Sequence, residues 1–175
     1  ITSDSHPQSQ KRSATLAWAI LYVDLTSGEV LIEEIQSDLI RKLEWVKNFA
    51  SWCRNGDQDY FVWQQNRIHR QKMIDYCEGI LVVQKKIWSE AMLAAALWFI
   101  HSELGLSKVF YNHFETGNNM KGIKYREPPR SLYTNLPEKF CFKLTPEAPS
   151  FIQQDKKAKK RMQRLKNAQL YLLNI

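Results

Sequence analysis

Apolar and polar positions change their rhythm along the chain, and each rhythm predicts an element. In ATLAWAILYVD, residues 14–24, apolar and aromatic side chains dominate, which predicts a β-strand. Thr26-Ser27-Gly28 is a turn signal, and Gly28 is free to take a positive φ. VLIEEIQ then reads as a second strand, so the two form an antiparallel hairpin. Strand alternation sends Val30, Ile32, Glu34, Gln36 and Asp38 to one side and Leu31, Glu33 and Ile35 to the other. Both sides begin apolar, as in a strand covered on both faces, and each then carries a carboxylate.

The rhythm next becomes helical. Ser37 is placed to cap a helix starting near Asp38, whose charge suits a helix N-terminus. Leu39, Leu43, Val46, Ala50 and Cys53 recur at helical spacing, and Gly56 ends the run. A second helix is predicted from Tyr60 to about Glu78, with Phe61, Ile68, Met73 and Cys77 inward. The clearest helix is WSEAMLAAALWFIHSEL, residues 88–104, with Ser89 as N-cap and Gly105 as C-cap. SKVFYNHF is predicted as a strand, GNNMKGIKYREPPR as a loop, RSLYTNLP as a short helix or turn and EKFCFKL as a strand. After PEAP the last stretch, 151–175, is predicted helical. The fold class is therefore α/β or α+β, with a mostly antiparallel central sheet flanked by helices.

Composition changes this picture little, except at one place. Of the 175 residues, 44% are apolar and 25% charged, as in ordinary globular chains. No apolar run approaches the ~20 residues that span a bilayer, so no membrane partner is expected. Residues 1–13 are polar and predict a disordered tail. Cys53, Cys77 and Cys141 are scattered, which suits buried free thiols in a reducing, cytoplasmic setting. The net charge of +7 is local: residues 156–166, KKAKKRMQRLK, hold seven Lys or Arg and no acid. Ala158, Met162, Leu165, Gln169 and Leu172 would form one face of the C-terminal helix. Lys156, Lys157, Lys159, Lys160, Arg161, Arg164 and Lys166 would project from it toward nucleic acid or an acidic protein. The same pattern suits a solvated helix packed on its own domain. The run holds no aromatic residue, which argues against stacking on single strands there.

Candidate chemistry gathers at the end of the second strand. A general base needs a carboxylate partly shielded from water, and Glu33 and Glu34 are placed for it. Gln36 and Asp38 share Glu34's side and would add polar groups to a cleft. His113 and Glu115 share a face at the next strand end, where α/β sheets bind ligands. Arg130, after Pro128-Pro129, is placed for a phosphate or a carbonyl. His101, His113 and Glu115 lack metal-ligand spacing, so no metal is expected. Each carboxylate reads equally as a solvated or salt-bridged strand-end residue.

Two resemblances follow from these stretches. Glu34-Ile35-Gln36-Ser37-Asp38, Trp88-Ser89-Glu90, Gly105, Val109 and Thr116-Gly117 resemble a domain of large polyvalent proteins from phages and mobile elements, which implies a bacterial host cell. The order hairpin, helix, strand, short helix, strand, together with SLYTNLPEKFCF, resembles the core of GNAT acyltransferases over about residues 14–145. That resemblance implies a single GNAT-like domain over 14–150, with a helical insertion at about 39–87 and a basic C-terminal helix over 151–175. It implies an acyl-CoA-dependent N-acyltransferase with acetyl-CoA or another acyl-CoA as donor. Glu34 or Glu33 would be the base, and Tyr133 the acid that protonates the leaving thiolate. The family binds the CoA pyrophosphate on a Gly-containing loop at a helix N-terminus. Its counterpart would be Gln84–Ser89, with Lys85, Lys86 and Ser89 as ligands, and Ile87 and Trp88 standing where the family has glycine. The mobile-element resemblance implies an alternative: a non-catalytic module that binds nucleic acid or a partner protein.

Overall fold

Asp24 closes the first hairpin by accepting hydrogen bonds from the Thr26 N–H (2.9 Å) and the Ser27 hydroxyl (2.7 Å). Gly28 completes the turn at a φ of 69°, which a side chain would resist. The hairpin joins β1 (Trp18–Asp24) to β2 (Glu29–Gln36). The computed structural model describes residues 15–52, 59–125 and 127–175. The disordered-tail expectation, Cys53 and Gly56 lie outside them. The chain forms two compact units: one holds Gln36–Ser89 and the described residues up to Trp18, the other Ala19–Ile35 and Glu90–Ile175.

In the first unit, α1 (Asp38–Trp52) begins where expected, and the Ser37 hydroxyl accepts from the Ile40 N–H at 3.2 Å. Its buried face is Ile40, Leu43, Val46 and Ala50. The helix expected over Tyr60 to about Glu78 begins only at Arg70. A second hairpin, β3 (Tyr60–Trp63) and β4 (Asn66–His69), occupies the stretch before it, and α2 (Arg70–Trp98) follows. Gln64 and Gln65 make the two-residue turn with φ of 47° and 64°, values that usually call for Gly or Asn. Leu43, Val46 and Cys77 form the core, with Trp63, Met73 and Ile80 packed against it.

The second unit is built on a five-stranded sheet in the order β1-β2-β5-β7-β6. β5 (Lys108–Asn112) runs parallel to β2, with Leu31 beside Phe110 and Ile32 beside Tyr111. β6 (Lys143–Thr145) and β7 (Leu170–Asn174) complete it, and β7 is antiparallel to both its neighbours. The fold is therefore mixed α/β with a mostly antiparallel sheet, as the pattern implied. Three segments differ from expectation. The end of the chain is an inner strand, not helix. EKFCFKL contributes only β6, because α4 (Asn135–Lys139) runs into a turn in which Cys141, an exposed free thiol, takes a φ of 63°. The GNNMK stretch belongs to α3 (Phe114–Lys121), which ends on Gly122 in the left-handed conformation. Gly105, at a φ of 67°, follows a π-helical turn, Phe99–Glu103, that extends α2.

Both faces of the sheet are covered. One carries Leu31, Phe110 and Leu170 under Phe151 and Ile152 of α5 (Ser150–Gln154) and Met162 of α6 (Lys156–Gln163). The other carries Ile32, Tyr111 and Tyr171, all fully buried, with the Tyr133 and Phe142 rings within 6 Å of the Tyr111 ring. Among the described residues, no helix is long and apolar enough to cross a membrane.

Glu29 anchors this arrangement. Its side chain is 6% exposed, pairs with the Lys108 ammonium at 3.0 Å and accepts from the Ser150 N–H at 2.6 Å. Burial pulls its pKa up. The Ser150 N–H and the Lys108 charge outweigh burial and hold it below the ordinary 4.5. Its stabilisation is therefore complete above pH 4.5 and is lost as pH falls through the lower folded value. Glu29→Gln is expected to cost about 1–3 kcal/mol at pH 7. In urea denaturation the gap to wild type should narrow below pH 4.5. A gap unchanged in acid would contradict this role.

Candidate functional site

The parallel pair β2 and β5 ends at one cluster. Asn112, the last residue of β5, donates from Nδ2 to the Glu33 carbonyl at 3.0 Å and locks the two strand ends together. Gly117 of α3 lies so close that a Cβ there would meet the Asn112 side chain at 3.2 Å. Lys121, at the other end of α3, reaches Glu34 at 2.5 Å and Glu33 at 3.7 Å. The two glutamates follow Leu31 and Ile32 onto opposite faces of β2. The sequence gives little sign of this lysine's role, because its segment carries residues typical of loops, Gly117, Asn118 and Asn119.

Glu34 shares the Tyr133 side of the sheet. Tyr133 is buried, and burial first, then the charges of Glu34 and Glu33, push its phenol well above the usual range. Burial, Tyr133 and Glu34 do the same to Tyr111, whose hydroxyl donates to the Leu132 carbonyl at 2.9 Å. Glu33 lies on the other side and lines a groove of about 410 Å³ with Leu31, Asn112, Lys121, Asp155 and Met162.

A second cleft, of about 390 Å³, brings His113, Glu115 and Arg130 together and adds Lys166, Asn167 and Gln169. Glu115 pairs with Arg130 at 2.5 Å, and Arg130 lies over the Phe114 ring at 4.8 Å. His113 Nδ1 is 3.0 Å from a Glu115 oxygen but is not aligned for a hydrogen bond. Burial pulls the Glu115 pKa up. Its own backbone N–H, Arg130 and His113 together outweigh that and lower it.

The basic segment is a fixed surface. The Asp155 carboxylate caps α6 by accepting from the Ala158 N–H at 2.7 Å. Met162 packs on the sheet core, and all seven cations of 156–166 are exposed. Arg161 donates to the Met120 carbonyl at 2.9 Å. None of the seven forms an ion pair among the described residues.

Gln36, Asp38, Lys85, Lys86 and Ser89 belong to the first unit. Asp38 accepts from the Trp18 indole at 3.3 Å and pairs with Arg41. Lys85 pairs with Glu44 at 2.5 Å, and Lys86 is exposed. The helix expected to start at Ser89 already starts at Arg70, so 84–89 is helix interior. Its backbone N–H groups are spent within the helix. The helix that follows β2 directly is α1, whose N-terminus holds the Asp38 carboxylate and the Ser37 cap. An acid and a closed cap stand where a pyrophosphate would need open N–H groups. The residues present do not fit CoA at either place.

The chain matches no protein-family model, no curated protein and no solved structure.

Saturating acetyl-CoA is expected to leave the melting temperature unchanged. A ligand at about a hundred times its dissociation constant adds roughly 2.7 kcal/mol, so a clear upward shift in a thermal melt would overturn this misfit.

Proposed function

We propose that this protein is a nucleic-acid-binding module that holds backbone phosphates on α6 and the turn after it. One observation carries the reading: seven exposed cations in eleven residues, with no acid among them and no ion pair among the described residues. An eight-residue helix is about 12 Å long, the span of roughly three to four phosphates along one strand. A protein partner suits this surface less well, because lysine is depleted from the buried centre of protein interfaces. The inward side chains, Ala158, Met162 and Leu165, are half-buried, and the exposed side chains of the run are the seven cations and Gln163.

We read the sheet around this surface as a GNAT-like shell, supported by the order hairpin, helix, strand, short helices, strand. The E-I-Q-S-D resemblance supports a setting in a phage or mobile-element protein. A second reading, acyl transfer, is favoured by the electrostatic coupling of Tyr133 to Glu34. Against it stand the CoA misfit and the pairing of Glu34 with Lys121.

Truncation after Asp155 would remove β7 along with the cations, so the test substitutes charges and keeps the strand. Lys156, Lys157, Lys159 and Lys160 are each changed to Gln, which leaves Ala158 and Met162 in place. Fluorescence anisotropy with labelled single-stranded and duplex DNA and RNA should show a loss of affinity on the order of 100-fold at low salt. Unchanged affinity, or binding of polyglutamate in preference to nucleic acid, would overturn the reading.

A further inference from the structure

The cleft beside α6 differs from the basic surface that leads to it. Its wall at Leu165–Gln169 continues the chain directly from the cationic helix. Lys166 belongs to both the cationic run and the cleft. Beyond Lys166 the lining is no longer a set of cations. Glu115 neutralises Arg130 at 2.5 Å and would face any bound anion, so a phosphate is poorly matched. Apart from Leu165 and the Thr116 hydroxyl, which accepts from the Gln169 N–H, the remaining groups are flat and offer both donors and acceptors: the amides of Asn119, Asn167 and Gln169, the imidazole of His113 and the Glu115 carboxylate. The Asn119 amide nitrogen is committed to the Glu115 carbonyl at 2.8 Å, which leaves its oxygen as an acceptor. His113 Nδ1 has no aligned hydrogen bond. Mixed planar donors and acceptors match the edge of a nucleobase.

From these features we infer that the His113–Arg130–Gln169 cleft receives one unpaired nucleobase of a strand whose phosphates lie on α6. This rests on the nucleic-acid reading and deepens it. The cleft volume, about 390 Å³, is within the range of small-molecule sites and admits a base with part of its sugar. The base is held by its edge in a pocket, so the lack of aromatic residues in the basic run is no obstacle.

The full chain is titrated into single-stranded DNA and RNA oligonucleotides carrying one internal 2-aminopurine, a base that brightens when it is unstacked. Anisotropy of an end label reports binding in the same sample. Wild type should bind and raise the 2-aminopurine signal above that of the free strand. Asn167→Ala with Gln169→Ala removes no charge. That variant should lose the rise while the salt dependence of binding, which the phosphate contacts set, is unchanged. Asn167→Ala alone, in the exposed turn, replaces the double variant if circular dichroism finds the latter unfolded. Binding with no rise, or a rise that survives the cleft variants, overturns the base pocket while the phosphate surface stands. Absence of binding by anisotropy overturns both. A response in only one of the DNA and RNA arms assigns the strand type and supports the pocket.

Discussion

Backbone pairing of β7 with β5 on one side and β6 on the other decides where α5 and α6 can lie. The segment that joins β6 to β7 must leave the sheet and return beside it, and it does so across the face of Leu31, Phe110 and Leu170. Phe151, Ile152 and Met162 cover that face because burying it is worth about 25 cal/mol per Å² of apolar surface. Glu29 fixes the other end of the crossing by holding the Ser150 N–H and the Lys108 ammonium. With its apolar stripe committed, α6 turns its cations to solvent. The same return brings Lys166, Asn167 and Gln169 to the N-terminal end of α3, where the Thr116 hydroxyl accepts from the Gln169 N–H at 3.1 Å. The basic surface and the polar cleft are thus two products of one strand insertion.

Local signals in the sequence locate the elements whose cues are local. The first hairpin, the Ser37 cap, the start of α1 and the Gly105 stop each rest on a few neighbouring residues and are formed as expected. Elements that depend on distant partners are less legible. LYLLN is a short apolar run, and such a run suits a helix or a buried strand equally until its neighbours β5 and β6 are known. Gln64 and Gln65 take left-handed backbone without the usual residues, so the β3–β4 turn carries no cue in composition. The stretch 79–87 joins the two expected helices into α2, since Gly79 lowers helix propensity by only about 1 kcal/mol and packing overrides it.

The candidate site follows the same division. Glu34 and Tyr133, which the GNAT resemblance pairs, lie on one side of the sheet, Glu33 lies on the other, and His113, Glu115 and Arg130 share one cleft. Lys121 and Asn112 escape notice because their roles arise only when α3 folds back over the β2 and β5 ends. The pattern around Lys85, Lys86 and Ser89 reads as a helix start, whereas these residues lie inside a longer helix. The charge of 156–166 is legible as composition. Its fixed display depends on β7, which the periodicity of the last stretch conceals.

The most direct test of the phosphate-binding surface is the salt dependence of nucleic-acid affinity for the intact chain. Four to seven cations on phosphates should make log Kobs fall against log salt with a slope of about −4 to −6 on a duplex and about −3 to −5 on a single strand. A slope shallower than about −1 would mean that phosphates are not what α6 holds, and the account would fail.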